Sequence, residues 1–156
     1  MSLESVRAFF AENAPDIDVL ETEASSATVS LAAVAHEVEP AQIAKSISLR
    51  AGDEVLLVVM AGTARLDNRK FRMRFGAKAR MLEAAEVVAR TGHPVGGVCP
   101  FGLETPMPVY CDVSLRAFDI VVPAAGATNA AVRISPSRMA ELCQAEWVDV
   151  CQAGIA

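Results

Sequence analysis

Residues 45–62 read KSISLRAGDEVLLVVMAG, and no other stretch constrains the fold as tightly. Two apolar-patterned runs flank Gly52-Asp53, a good signal for a β-hairpin. The rest of the chain must arrange itself around that ribbon. Ser2 is placed to cap a first helix reaching about Ala11, with Leu3, Val6, Phe9 and Phe10 at helical spacing. Residues 17–22 read as a short strand. A second helix is expected over about 30–38, where Leu31, Val34, Ala35 and Val38 share a face and Pro40 ends it. Asp67 is placed to cap a third helix ending near Gly76. Residues 83–92 predict a fourth, with Gly92 just beyond its last turn. Strands are expected at 108–112, 117–122 and 130–134, the last two separated by PAAGATN. Ser135 and Pro136 then stand in the favoured order for a helix start, and EWVDV predicts a closing strand. The mixture predicts an α+β domain with a curved or closed sheet and helices packed outside it.

With 156 residues, 53% of them hydrophobic and 21% charged, the chain reads as a single globular domain over 1–156. Aromatics are only 5%, so the core must be built from Ala, Val, Leu, Ile and Met. Glu4, Arg7 and Glu12 interrupt the start where a signal peptide would be apolar, and VLLVVMAG is too short to cross a bilayer. A soluble, cytoplasmic protein without a membrane partner is expected. Cys99, Cys111, Cys143 and Cys151 form no C-x-x-C pair and, with His36 and His93, no zinc spacing. They are expected to be reduced and mostly buried, with no metal. Neither a strand–GxGxxG–helix nor a GxxxxGK[ST] segment is present, and no cofactor is expected.

The net charge of −5 argues against a generic nucleic-acid binder, yet seven of the 14 basic residues fall within positions 65–80. The run is either a solvated helix face or a local patch for phosphates. Residues 92–102, GHPVGGVCPFG, pose a similar choice. They suit a tight turn, or a site where the Gly96 and Gly97 amides approach a ligand oxygen. Lys45, at the entrance of the first hairpin strand, either reaches solvent or fixes a positive charge at a pocket mouth. His93 is either a surface residue or a substrate contact. No G-x-S-x-G elbow or triad is apparent.

Four segments in order resemble the YbaK family, the editing domains related to the inserted domain of bacterial prolyl-tRNA synthetase. They are AQIAKSISL, VVMAGTARLD, GHPVGGVCPFGLETPMPVYCD and AAGATNAAVRISPSRMAEL, and the resemblance spans nearly the whole chain. It implies a mixed fold around a barrel-like curved sheet with helices packed around it. It also implies hydrolysis of the ester that joins a wrong amino acid to the 3′ end of a tRNA, typically tRNA for proline. The family's lysine corresponds to Lys45, and Ser46 beside it faces the site. The G-x-x-x-P loop corresponds to Gly96, Gly97, Val98, Cys99 and Pro100.

An aminoacyl ester is already activated, so preorganised donors and a placed water or ribose hydroxyl suffice for its hydrolysis. In this reading Lys45, Gly96 and Gly97 are catalytic, and Ser46, Val98, Cys99, Pro100, His93 and Gly126 contact the substrate. From charge alone, Arg69, Lys70, Arg72 and Arg74 are the candidates for acceptor-stem phosphates. In the branch that clears cysteine, a serine and an aspartate stand where this chain has Ala124 and Ala131, which opens the cavity to alanine, serine or another small side chain.

The leading expectation is a free-standing trans-editing deacylase acting on misacylated tRNA through its CCA end. Weak tRNA binding by an acidic chain leaves room for a synthetase that hands the tRNA over. The alternative is a non-catalytic module that binds the aminoacyl or CCA end. A thiol-active protein using Cys99 ranks below both, since His93 is its only basic neighbour in sequence.

Overall fold

The computed structural model describes residues 2–152. The hairpin forms as expected. β2 (Ile43–Ala51) and β3 (Glu54–Ala61) pair antiparallel from Ala51↔Glu54 to Ala44↔Ala61, with Gly52 turning at φ +61°. β3 is buried along all but its first residue, as suits a strand covered on both faces. β5 (Val109–Asp112) runs parallel to β3, and β8 (Glu146–Val148) runs parallel to β5. On the other side, β2 pairs with β6 (Val122–Pro123) and β4 (Ala79–Met81). A separate two-stranded sheet joins β1 (Leu20–Glu21) to β7 (Ala130–Ala131).

Strand alternation sends apolar side chains to two cores. Leu57, Val59, Val109 and Cys111 pack against Val6 and Phe10 of α1 (Ser2–Asn13), Phe101, Leu115, and Met139 of α5 (Pro136–Leu142). Leu49, Leu56, Val58 and Met60 face the other way, against Phe71 of α3 (Asn68–Phe75), Val148 and Val150. α3 begins where Asp67 accepts a hydrogen bond from the Lys70 amide and ends at Gly76, φ +74°. α4 (Ala84–Thr91) ends the same way at Gly92. All four cysteines are free, and only Cys143 is not fully buried.

Three expectations need correction. The second helix, α2 (Val29–Ala35), is shorter than foreseen. Thr28 caps it, His36 closes it and Glu37 turns to φ +57°, so the chain leaves the helix before Pro40. In place of a strand over 117–122, Val113–Ala117 forms a 3-10 turn, and only Val122–Pro123 is strand. Buried Asp112 explains this: its carboxylate accepts from the Ser114 amide at 2.9 Å and the Val150 amide at 2.8 Å, bending the chain off the sheet. Finally, the fold is mixed α+β, but the described strands do not close into a barrel. β4 and β8 end the path and do not pair with each other.

One interruption positions everything that follows. The outer edge of β2 is paired by β6 at Ile43 and Ala44 and by β4 from Leu49 onward, while residues 45–48 have no ladder partner on that side. The Leu82 amide donates to the Ser48 carbonyl at 3.5 Å, so the main chain of Ser48 faces outward. By alternation the N–H and C=O of Ser46 face outward too, into the gap.

Candidate functional site

A cavity of about 360 Å³ fills this gap. β2 supplies one wall, from Ile43 to Ser48. Val29 and Ala32 of α2, Ala84 and Val87 of α4, and the 95–98 loop cover it, with exposed Met81 and Val95 at its margin. The lining is mainly apolar and includes no Asp, Glu or His.

Lys45 lines this cavity, opposite Met60 on β3. Its Nζ donates to the Ala64 carbonyl at 2.6 Å, leaving two ammonium hydrogens for other acceptors. It forms no ion pair among the described residues. Burial pulls its pKa below the ordinary lysine value, as does the nearby Arg65 charge, while the Cys151 thiol works the other way.

Gly96 and Val98 also reach the cavity wall, and among the described residues their amides meet no protein acceptor. Gly96 has φ +91° and runs so close to Ala27 that a Cβ would lie 2.8 Å from the Ala27 Cβ. A side chain is therefore excluded by conformation and by space.

The structure thus brings together Lys45, Ser46, Gly96 and Val98. It places Gly97, Cys99, Pro100, His93 and Gly126 behind the wall. The Gly97 amide is committed to the Pro94 carbonyl at 2.8 Å, and its carbonyl accepts from Gly126 at 3.0 Å. These two glycines clamp the loop to the 124–128 turn. Cys99 is fully buried, with burial pushing its thiol up to about 12, the wrong direction for a nucleophile. His93, expected at the surface or on substrate, is fully buried beneath the loop. Its Nε2 donates to the Phe101 carbonyl at 2.8 Å, and its Nδ1 accepts from Ser2 Oγ. Burial lowers its pKa, against a smaller opposing effect of the Phe101 carbonyl. Ala124 and Ala131 both line the cavity and form an antiparallel bridge to each other.

The basic helix α3 is not part of the cavity wall. Lys70 pairs with Asp149 at 3.0 Å, and Arg74 pairs with Glu146 while lying over the rings of Phe75 and Tyr110. Arg69 and Arg72 are exposed and form no ion pair among the described residues. Sequence reasoning missed Ser48 and the covering helices. Ser48 did leave a signal, since one face of β2 reads Ala44, Ser46, Ser48 where a covered strand would continue apolar.

The model of the aminoacyl-tRNA editing domain family matches residues 23–142, a span that contains every cavity-lining residue. YwhH of Bacillus subtilis, an uncharacterized protein, is 49% identical over 154 residues, covering 97% of this chain and 98% of that one. A protein of Enterococcus faecalis named "Putative Cys-tRNA(Pro)/Cys-tRNA(Cys) deacylase EbsC" is 23% identical over 96 residues, 61% of this chain and 58% of its own. A solved structure described as "a putative trans-editing enzyme for prolyl tRNA synthetase" superposes with a TM-score of 0.89 at 31% identity, covering 97% of this chain and 98% of that one.

Proposed function

Because the chain belongs to the aminoacyl-tRNA editing domain family, we propose that it is a free-standing deacylase. Its substrate would be a tRNA, tRNA for proline first among candidates, carrying a small wrong amino acid. One observation carries the reading: Lys45 and the Gly96–Val98 loop, far apart in sequence, line the same cavity.

Attack of water or a ribose hydroxyl on the ester carbonyl puts negative charge on its oxygen. The Gly96 and Val98 amides are the donors for that oxyanion, each typically worth ~3 kcal/mol when preorganised. Lys45 adds a fixed positive charge for the oxyanion or the terminal phosphate. Gly97, Gly126, Pro100, Cys99 and His93 hold the loop in place rather than touch the ester. The apolar lining suits an aliphatic side chain, although fit alone discriminates by only ~1–3 kcal/mol per methylene. Of α3's four basic side chains, Arg69 and Arg72 form no ion pair among the described residues and are the candidates for acceptor-stem phosphates.

Among the described residues the cavity wall carries no Asp, Glu or His, which favours a second reading, a module that binds the aminoacyl end without turnover. Deacylation of tRNA for proline charged with alanine, cysteine, serine or proline separates the two. The expected result is selective release of a wrong amino acid, lowered about 100-fold or more by Lys45→Ala. No release above the uncatalysed rate from any of the four would leave the binding module.

A further inference from the structure

Among the described residues, two buried hydroxyls in the cavity wall meet no protein partner. Ser46 Oγ and Ser48 Oγ are shielded from solvent and lack a hydrogen bond, and Ser48 is only 5% exposed. Buried hydroxyls are normally satisfied, so these two are side-chain groups of the wall still open to a hydrogen-bonding partner. The other polar side chains of the wall are engaged. Ser26 Oγ donates to the Thr128 carbonyl, Thr28 Oγ1 caps α2, and Lys45 holds the Ala64 carbonyl.

We propose that Ser46 and Ser48 form the polar end of the amino-acid pocket and select a hydroxyl-bearing side chain, serine first. The proposal rests on the deacylase site described above and names its substrate class. Residues two apart on a strand are roughly 6.6 Å apart and point to the same face. With both serines rotated toward the cavity, one hydroxyl oxygen between them would donate to one and accept from the other. Alanine offers no such group, and a thiol is a weak donor. The α-ammonium has its own acceptor in the Ser46 carbonyl, which faces the gap, so the hydroxyls are left for the side chain. Ala124 and Ala131, also in the lining, offer no competing polar side chain.

Two measurements keep the proposal separate from the deacylase reading. The first is binding of a non-hydrolysable amide analogue of the aminoacylated terminal adenosine, carrying serine or alanine. The second is kcat/KM on tRNA for proline charged with the same two amino acids. Wild type should prefer serine at least tenfold in both, and Ser48→Ala should reduce the preference to about threefold or less. Ser46→Ala should act in the same direction, with circular dichroism establishing that each variant is folded. Equal binding of the two analogues by wild type, or a ratio unmoved in both variants, would overturn the proposal. Serine-selective binding without turnover would support it while removing the deacylase reading.

Discussion

At the scale of single residues, Gly96 is the least replaceable position in the site. Its φ of +91° and the nearness of Ala27 leave an added methyl nowhere to go. Gly96→Ala is expected to cost roughly 1–3 kcal/mol in urea unfolding and to reduce deacylation. An unchanged unfolding midpoint would show that the loop relaxes freely. Lys45, Ser46, Gly96 and Val98, singled out through the family resemblance, all line the cavity. Ser48 was not singled out, because its meaning depends on which edge of β2 is left unpaired, and that is decided by β4 and β6. Cys99 and His93 were misjudged for the converse reason. Their burial comes from α1 and Phe101, and α1 lies some ninety residues earlier in the chain.

Among the elements, the 92–102 loop shows how irregular backbone is held without regular pairing. Neutral His93 ties the start of α1 to the Phe101 carbonyl, and protonating its Nδ1 would remove the acceptor for Ser2. His93 and His36 both titrate below the ordinary value of 6.5, chiefly because they are buried. Between that value and the folded pKa, the unfolded chain binds protons that the folded chain refuses. Stability is therefore fully present above about pH 6.5 and is lost as pH falls through the folded values. Urea midpoints should drop from pH 7 to pH 5, and His93→Gln should flatten part of that slope. An identical slope in the variant would remove His93 from the account. The hairpin and the helix caps at Asp67 and Ser135 were readable from sequence because their signals are local. The 3-10 turn after Asp112 was not, since it depends on the Val150 amide, 38 residues away.

For the molecule as a whole, charge distribution matters more than its sum. Much of α3's positive charge is bound internally: Lys70 is paired to Asp149 and Arg74 to Glu146, whereas Arg69 and Arg72 form no ion pair among the described residues. Replacing both Arg69 and Arg72 with alanine should weaken tRNA binding and reduce its log–log salt slope by about 1–2, with the fold intact. Fluorescence anisotropy across a salt series reads this directly, and an unchanged slope would place the tRNA elsewhere. The gap along β2 has a consequence for how such a site can diversify. Main-chain groups of β2 border the chamber along the gap, while α2 and α4 roof it. A lineage can therefore retailor the roof at Val29 or Val87 to admit a different cargo without dismantling the strand edge and the 95–98 loop that frame the cavity.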